Sequence, residues 1–170
     1  MRNGASPSPP PNPVLTGKAM LSQKTKYALR ALAYLASLKD PSTASIAEVA
    51  VGAKAPRKFL EAILLELKLS GFVESRRGRF GGYALAKSPE SISFAAVIRA
   101  VEGPLALAPC ASVTAYKQCA DCFPVEVCPI RAALLAGRDA IAEVLENWTL
   151  ATALEQRDVL EDCAPAPIPS

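Results

Sequence analysis

The stretch "FLEAILLELKLSGFVESRRGRFGGYALAK", residues 59–87, changes its hydrophobic period halfway along. Phe59, Leu60, Ile63, Leu64 and Leu67 recur at helical spacing and give a helix with one apolar face. Gly71 supplies the stop, because glycine enters the left-handed conformation that ends helices without a Cβ penalty. Beyond it, "FVES" (72–75) and "YALA" (83–86) flank the basic, glycine-rich turn "RRGRFGG" and read as a short β-hairpin.

Upstream, "KTKYALRALAYLASL" (24–38) places Tyr27, Ala28, Ala31, Leu32, Leu35 and Leu38 on one helical stripe. "STASIAEVA" offers Ser45 as an N-cap with Glu48 three residues on, a capping box that opens a short helix. Pro56 suits the first turn of the third helix. The order helix, short helix, helix, hairpin is that of a winged helix-turn-helix. The fold class is therefore mainly α with a small β-hairpin.

Downstream, a fourth helix runs through "FAAVIRAVEG" to Gly103. Pro129 then starts a long helix, whose apolar positions Ile130, Leu134, Ile141, Val144, Leu145 and Trp148 span about five turns. The expected organisation has five parts: a disordered extension over 1–19, a DNA-binding domain over 20–103, a cysteine-rich loop over 104–128, a dimerisation helix region over 129–155 and a flexible tail over 156–170.

Charge is segregated along the chain. The net charge is +2 over residues 1–19, +7 over 20–88 and −6 over 89–170. A basic front half points to nucleic acid. A helix fits the major groove of B-form DNA, and a hairpin reaches the adjacent groove or backbone. Arg57 and Lys58 begin the third helix on its exposed side, and Arg76, Arg77 and Arg79 stand among the glycines of the turn. Arginine suits phosphate and narrow minor grooves, and glycine lets the backbone approach closely.

Four of the five cysteines lie within nineteen positions, as Cys110, Cys119, Cys122 and Cys128, and the chain has no histidine. No apolar run approaches the roughly 20 residues of a membrane span, and no export signal is evident. The expected compartment is the cytoplasm, where thiols stay reduced and clustered cysteines read as metal ligands or redox sensors. Four thiolates suit tetrahedral zinc or an iron–sulfur cluster. The irregular spacing, with only Cys119 and Cys122 in a C-x-x-C knuckle, fits a cluster wrapped by a loop better than a zinc ribbon. A structural-zinc DNA-binding protein without a switch is the alternative. No paired acid and base is visible, so an enzyme is not expected.

From Met20 to Leu154 the chain resembles the Rrf-type family of bacterial winged helix-turn-helix iron–sulfur transcription regulators, the group of IscR, NsrR and RirA. The resemblance rests on "KTKYALRALAYLA", "SIAEVA", residues 59–87, "VIRAVEG" and the cysteines ahead of a long helix. It implies a homodimer on palindromic, double-stranded promoter DNA. It also implies a recognition helix from Pro56 onward, with Arg57, Lys58, Phe59 and Glu61 near the bases, and a wing of Arg76, Arg77 and Arg79. A 2Fe-2S or 4Fe-4S cluster would be held by Cys110, Cys122 and Cys128. Some relatives complete the ligand set with a histidine where this chain has Arg131, others with a carboxylate where it has Lys26. Cys119, extra to the three-cysteine pattern, is the expected fourth ligand.

Overall fold

A computed structural model describes residues 21–38, 42–78, 81–119 and 124–161. Arg79, Cys122 and the expected extension over 1–19 lie outside the described residues.

Six helices and one hairpin follow in order: α1 (Gln23–Ala36), α2 (Ile46–Gly52), α3 (Arg57–Leu69), β1 (Val73–Arg76), β2 (Gly82–Leu85), α4 (Phe94–Val101), α5 (Arg131–Asn147) and α6 (Leu150–Glu161). Local chemistry sets most of the boundaries. The Ser22 hydroxyl accepts from the Thr25 N–H at the start of α1. Ser45 and Glu48 form the capping box of α2, and Ser93 caps α4 through the Ala96 N–H. Gly71 and Gly103 follow α3 and α4 with φ of 72° and 100°, the left-handed stops expected from sequence.

Strands β1 and β2 pair antiparallel, with Val73 opposite Leu85 and Arg76 opposite Gly82. Ala44 adds a third backbone run through a bridge to Tyr83. The core lies where α1, α2, α3 and the hairpin meet, and Ala28, Leu32, Val49, Leu60, Leu64 and Leu67 are fully buried in it. Leu150, the first residue of α6, completes this core.

Three sequence expectations are adjusted. Pro56 stands at the N-cap of α3, with extended backbone, one residue ahead of the helix. Phe59, expected on the apolar face, is 63% exposed, because the α3 stripe that meets the core is Leu60, Ile63, Leu64 and Leu67. The long helix begins at Arg131 instead of Pro129, and ends at Trp148, whose ψ of 113° breaks it. A separate helix, α6, follows and continues to Glu161.

Candidate nucleic-acid interface and cysteine loop

Helix α3 turns a polar and apolar mixture outward. Arg57, Lys58, Phe59 and Glu61 are all exposed, and no side chain caps the helix start. Its positive dipole end and two basic residues thus face the same side. Arg57 and Glu61 approach at 3.9 Å with both side chains more than 60% exposed, a pairing too solvated to hold Arg57 in place. Two contacts fix how α3 is presented. Lys24 Nζ pairs with Glu66 of α3 at 2.7 Å, and Lys68 Nζ donates to Ser75 Oγ of β1 at 2.6 Å. The second contact joins the end of the helix to the wing.

At the wing, Arg76 Nε donates to Glu74 Oε1 at 2.8 Å. Arg77 is exposed at the tip, before Gly78 with φ of 115°. The Gly81 N–H closes the turn onto the Gly78 carbonyl at 2.9 Å. Helix and wing therefore place Arg57, Lys58 and Arg77 on the molecular surface within one domain.

The described residues 109–117 of the cysteine segment fold into a closed turn. Cys110 is buried in a 3₁₀ turn, Pro109–Ala111, while Cys119 and Cys128 are half-buried. The buried Ser112 hydroxyl accepts from the Ala115 N–H at 2.9 Å. The Lys117 N–H then reaches back to the Pro109 carbonyl at 3.2 Å. A hydrogen bond with Cys119 raises the Cys110 thiol above its ordinary pKa, and burial and the neighbouring Cys119 and Cys128 sulfurs push the same way. Among the described residues, no three His, Cys, Asp or Glu side chains stand in metal-holding geometry.

Arg131, three residues after Cys128, has a buried Nε without a hydrogen-bond partner. An all-sulfur donor set with an orphaned cationic donor close by in sequence suits an anionic, thiolate-bound group. The arginine itself cannot ligate.

Glu102 was not singled out by sequence reasoning. Its carboxylate accepts from the Ser22 hydroxyl and the Thr25 hydroxyl, both at 2.5 Å, and from the Ser22 N–H at 3.3 Å. The C-terminal end of α4 is thereby tied to the start of α1. The Ser22 and Thr25 hydroxyls hold the carboxyl below the ordinary glutamate range against a small opposing effect of burial. The residues that follow, including Leu105 and Leu107, line an apolar cavity of about 260 Å³ against Ile141 and Leu145 of α5. No residue of α5 is buried, and Ile130, Val144 and Trp148, along and at the ends of the helix, are 58%, 56% and 38% exposed in the monomer.

The sequence profile of the Rrf2 family, described as an iron-dependent transcriptional regulator, matches residues 21–156. An rrf2-like HTH-type transcriptional regulator of Rhodobacter capsulatus is 44% identical over 115 residues, 66% of this chain and 77% of its own. The HTH-type regulator NsrR of Geobacillus kaustophilus is 36% identical over 137 residues, 81% of this chain and 90% of its own. Among solved structures, CymR, the global cysteine regulator of B. subtilis, superposes with a TM-score of 0.66 at 27% identity, covering 82% of this chain and 98% of that one. IscR of T. potens gives 0.64 at 27% identity, with 88% and 94% covered. These relatives are transcriptional regulators, not enzymes.

Proposed function

The chain belongs to the Rrf2 family of transcriptional regulators, and from that premise we propose a homodimer whose promoter binding is governed by an iron–sulfur cluster held within residues 110–128. The observation that carries this reading is the close sequence spacing of Cys110, Cys119 and Cys128, in a segment whose 3₁₀ turn, Pro109–Ala111, packs against α5. The residues that would hold the cluster are these three and Cys122. When bound, it would supply a four-thiolate tie sensitive to iron supply, redox state or nitric oxide.

The remaining steps belong to the chain. With no buried residue, α5 needs a partner for its apolar side, and a second copy supplies an identical one. Residues 129–155 would thus join two units spanning 20–103. The spacing of the two α3 helices would follow from how the paired α5 helices sit. Displacement of the 110–128 loop changes what supports the start of α5 and so changes whether both units fit their half-sites. Such coupling is typically worth about 1–3 kcal/mol, or roughly 5–150-fold in affinity. Arg57, Lys58 and Phe59 of α3, with Pro56 and Glu61 beside them, would face the bases. Arg76, Arg77 and Arg79 would hold the backbone from the wing. No helix among the described residues is long and apolar enough to cross a membrane.

The test compares anaerobically purified and chelator-stripped protein in gel shifts on promoter DNA, with iron, sulfide and zinc counted on the same samples. A visible absorption band and at least a ~5-fold affinity difference are expected. Equal affinity with iron and sulfide present would refute the switch. Colourless protein containing zinc and no sulfide would replace the cluster with a structural metal.

A further inference from the structure

Arg138 sets a cation beside an apolar space. The cavity of about 260 Å³ against α5 is walled by Leu21, Ile98, Leu105, Leu107, Ile141 and Leu145, and its charged lining residues are Arg138 and Glu102. The Arg138 side chain is 13% exposed. Its Nη2 pairs with Asp139, an exposed residue, whereas its Nε is buried without a hydrogen-bond partner. Glu102 does not supply the missing acceptor, because its Oε2 is taken by the Ser22 and Thr25 hydroxyls. The other acidic residues near Arg138, namely Asp139, Glu143 and Glu146, line a neighbouring hollow instead. A guanidinium N–H left bare among apolar side chains is costly, and an acceptor brought to it from outside would remove that cost.

We propose that this cavity is a binding site for a small apolar carboxylate, a ring or branched chain ending in one acid group. The carboxylate pairs with Arg138 in a charge-assisted hydrogen bond, and the apolar body lies against Ile98, Leu107, Ile141 and Leu145. Size agrees with this class: a cavity of roughly 150 Å³ admits benzene, so about 260 Å³ leaves room for a ring and its acid group. Both halves of the ligand are needed. A bare inorganic anion satisfies Nε but leaves the walls unfilled, and a neutral ring fills the walls but leaves Nε unpaired. Few polar groups in an otherwise apolar hollow is the usual pattern of a small-molecule site. A ligand here would hold residues 104–107 against α5, where Leu107 Cδ1 already stands 3.1 Å from the place of a Cβ on Gly137. Those residues lead from α4 into the Cys110 turn, so the site is an input to the regulator that does not depend on what the cysteines hold.

The test titrates the full chain, purified anaerobically, with phenylacetate in a calorimeter. The comparison probes are 2-phenylethanol, which keeps the ring without the charge, and acetate, which keeps the charge without the ring. Methyl spectra of protein labelled at isoleucine and leucine locate the site. Phenylacetate should bind saturably, at least ~10-fold more tightly than either comparison probe, and should shift the methyls of Ile98, Leu107 and Ile141. Arg138→Met should abolish the preference, so that phenylacetate binds no better than 2-phenylethanol. Where that variant does not fold, the three-probe comparison and the methyl shifts of the parent decide by themselves. Absence of saturable phenylacetate binding, equal affinity for the alcohol, or shifts confined to residues outside the cavity would each overturn the proposal. Contacts between subunits at the Ile98 and Ile141 methyls, with no phenylacetate bound, would give the cavity to a second copy of the chain and overturn it as well.

Discussion

Gly82→Ala probes how the wing is attached to the helical core. Gly82 opens β2, and a Cβ there would lie 2.5 Å from the Ala44 carbonyl oxygen and 2.7 Å from its carbon. Both neighbours are backbone atoms of a buried residue, so neither can swing aside. The run at Ala44 must withdraw, and with it go two hydrogen bonds: Ala44 N–H to Tyr83 O at 2.9 Å and Tyr83 N–H to Ala44 O at 2.8 Å. At about 0.5–1.5 kcal/mol net for each bond, the expected loss is about 1–3 kcal/mol. For a chain of this size that lowers Tm by roughly 3–9 °C. Gly71→Ala is the control. Its φ of 72° imposes the left-handed penalty, but nothing lies within 4 Å of the new Cβ, so it destabilises by ~1–2 kcal/mol without touching the wing. Amide exchange separates the two variants. The Tyr83 N–H should lose protection in Gly82→Ala and keep it in Gly71→Ala, and DNA affinity should fall further in the former. A Gly82→Ala protein that melts within about 1 °C of the parent, with Tyr83 still protected, would refute the reasoning.

Arg77→Ala should weaken promoter binding and lower the slope of log affinity against log salt by ~0.9 for each phosphate that is no longer neutralised, or about two for a pair of wings; an unchanged slope would remove Arg77 from the interface. Glu102→Gln should flatten the acid limb of the stability curve. The Glu102 carboxyl titrates below its ordinary range in the folded chain, so its contribution is complete above the unfolded value and is lost as pH falls through the folded one. Parallel acid-unfolding curves for parent and variant, followed by circular dichroism from about pH 5 to pH 2, would show that the Ser22 and Thr25 bonds contribute nothing measurable.

The elements that could be read from sequence are those whose signals sit close along the chain. The capping box joins Ser45 to Glu48, and Gly71 and Gly103 are adjacent to the helices they stop. The hairpin was legible because its turn chemistry and its change of period fall within fifteen residues (72–86). The elements that were missed depend on partners distant in sequence. The bridge from Ala44 to Tyr83 and the bonds from Ser22 and Thr25 to Glu102 have no local pattern. The break at Trp148 belongs partly to this class: Ser93 bridges to Thr149, with the Phe94 N–H on the Trp148 carbonyl at 2.8 Å. A local hint existed, because Thr149 accepts from the Thr152 N–H as a helix cap does. The apolar stripe that continues through Trp148 obscured it. In the cysteine loop, the spacing offered a candidate donor set that the described residues do not assemble. The hydrogen bond from Lys117 to Pro109, which closes the turn after Cys110, has no sequence signature.

The geometry of α5 constrains how the loop could influence the DNA-binding surface. The loop meets the N-terminal end of α5 through Cys128, and the Ser93–Thr149 bridge lies just beyond its C-terminal end. Seventeen helical residues separate these ends by about 25 Å. A second connection is shorter. Residues 104–109 run from the end of α4 directly into the Cys110 turn, and Leu107 sits close enough to Gly137 of α5 that a Cβ there would lie 3.1 Å from it. Glu102, two residues before Pro104, bonds to the start of α1, which packs against α2 and α3. Position between two sites is not coupling, and the two routes differ in what Glu102→Gln does to them. Under the proposed switch, transmission along α5 through the dimer leaves the affinity ratio of holo to apo protein intact in that variant. Transmission through residues 102–109 shrinks the ratio while both forms still bind DNA. A ratio that stays the same although the acid-stability change has appeared would assign the coupling to α5.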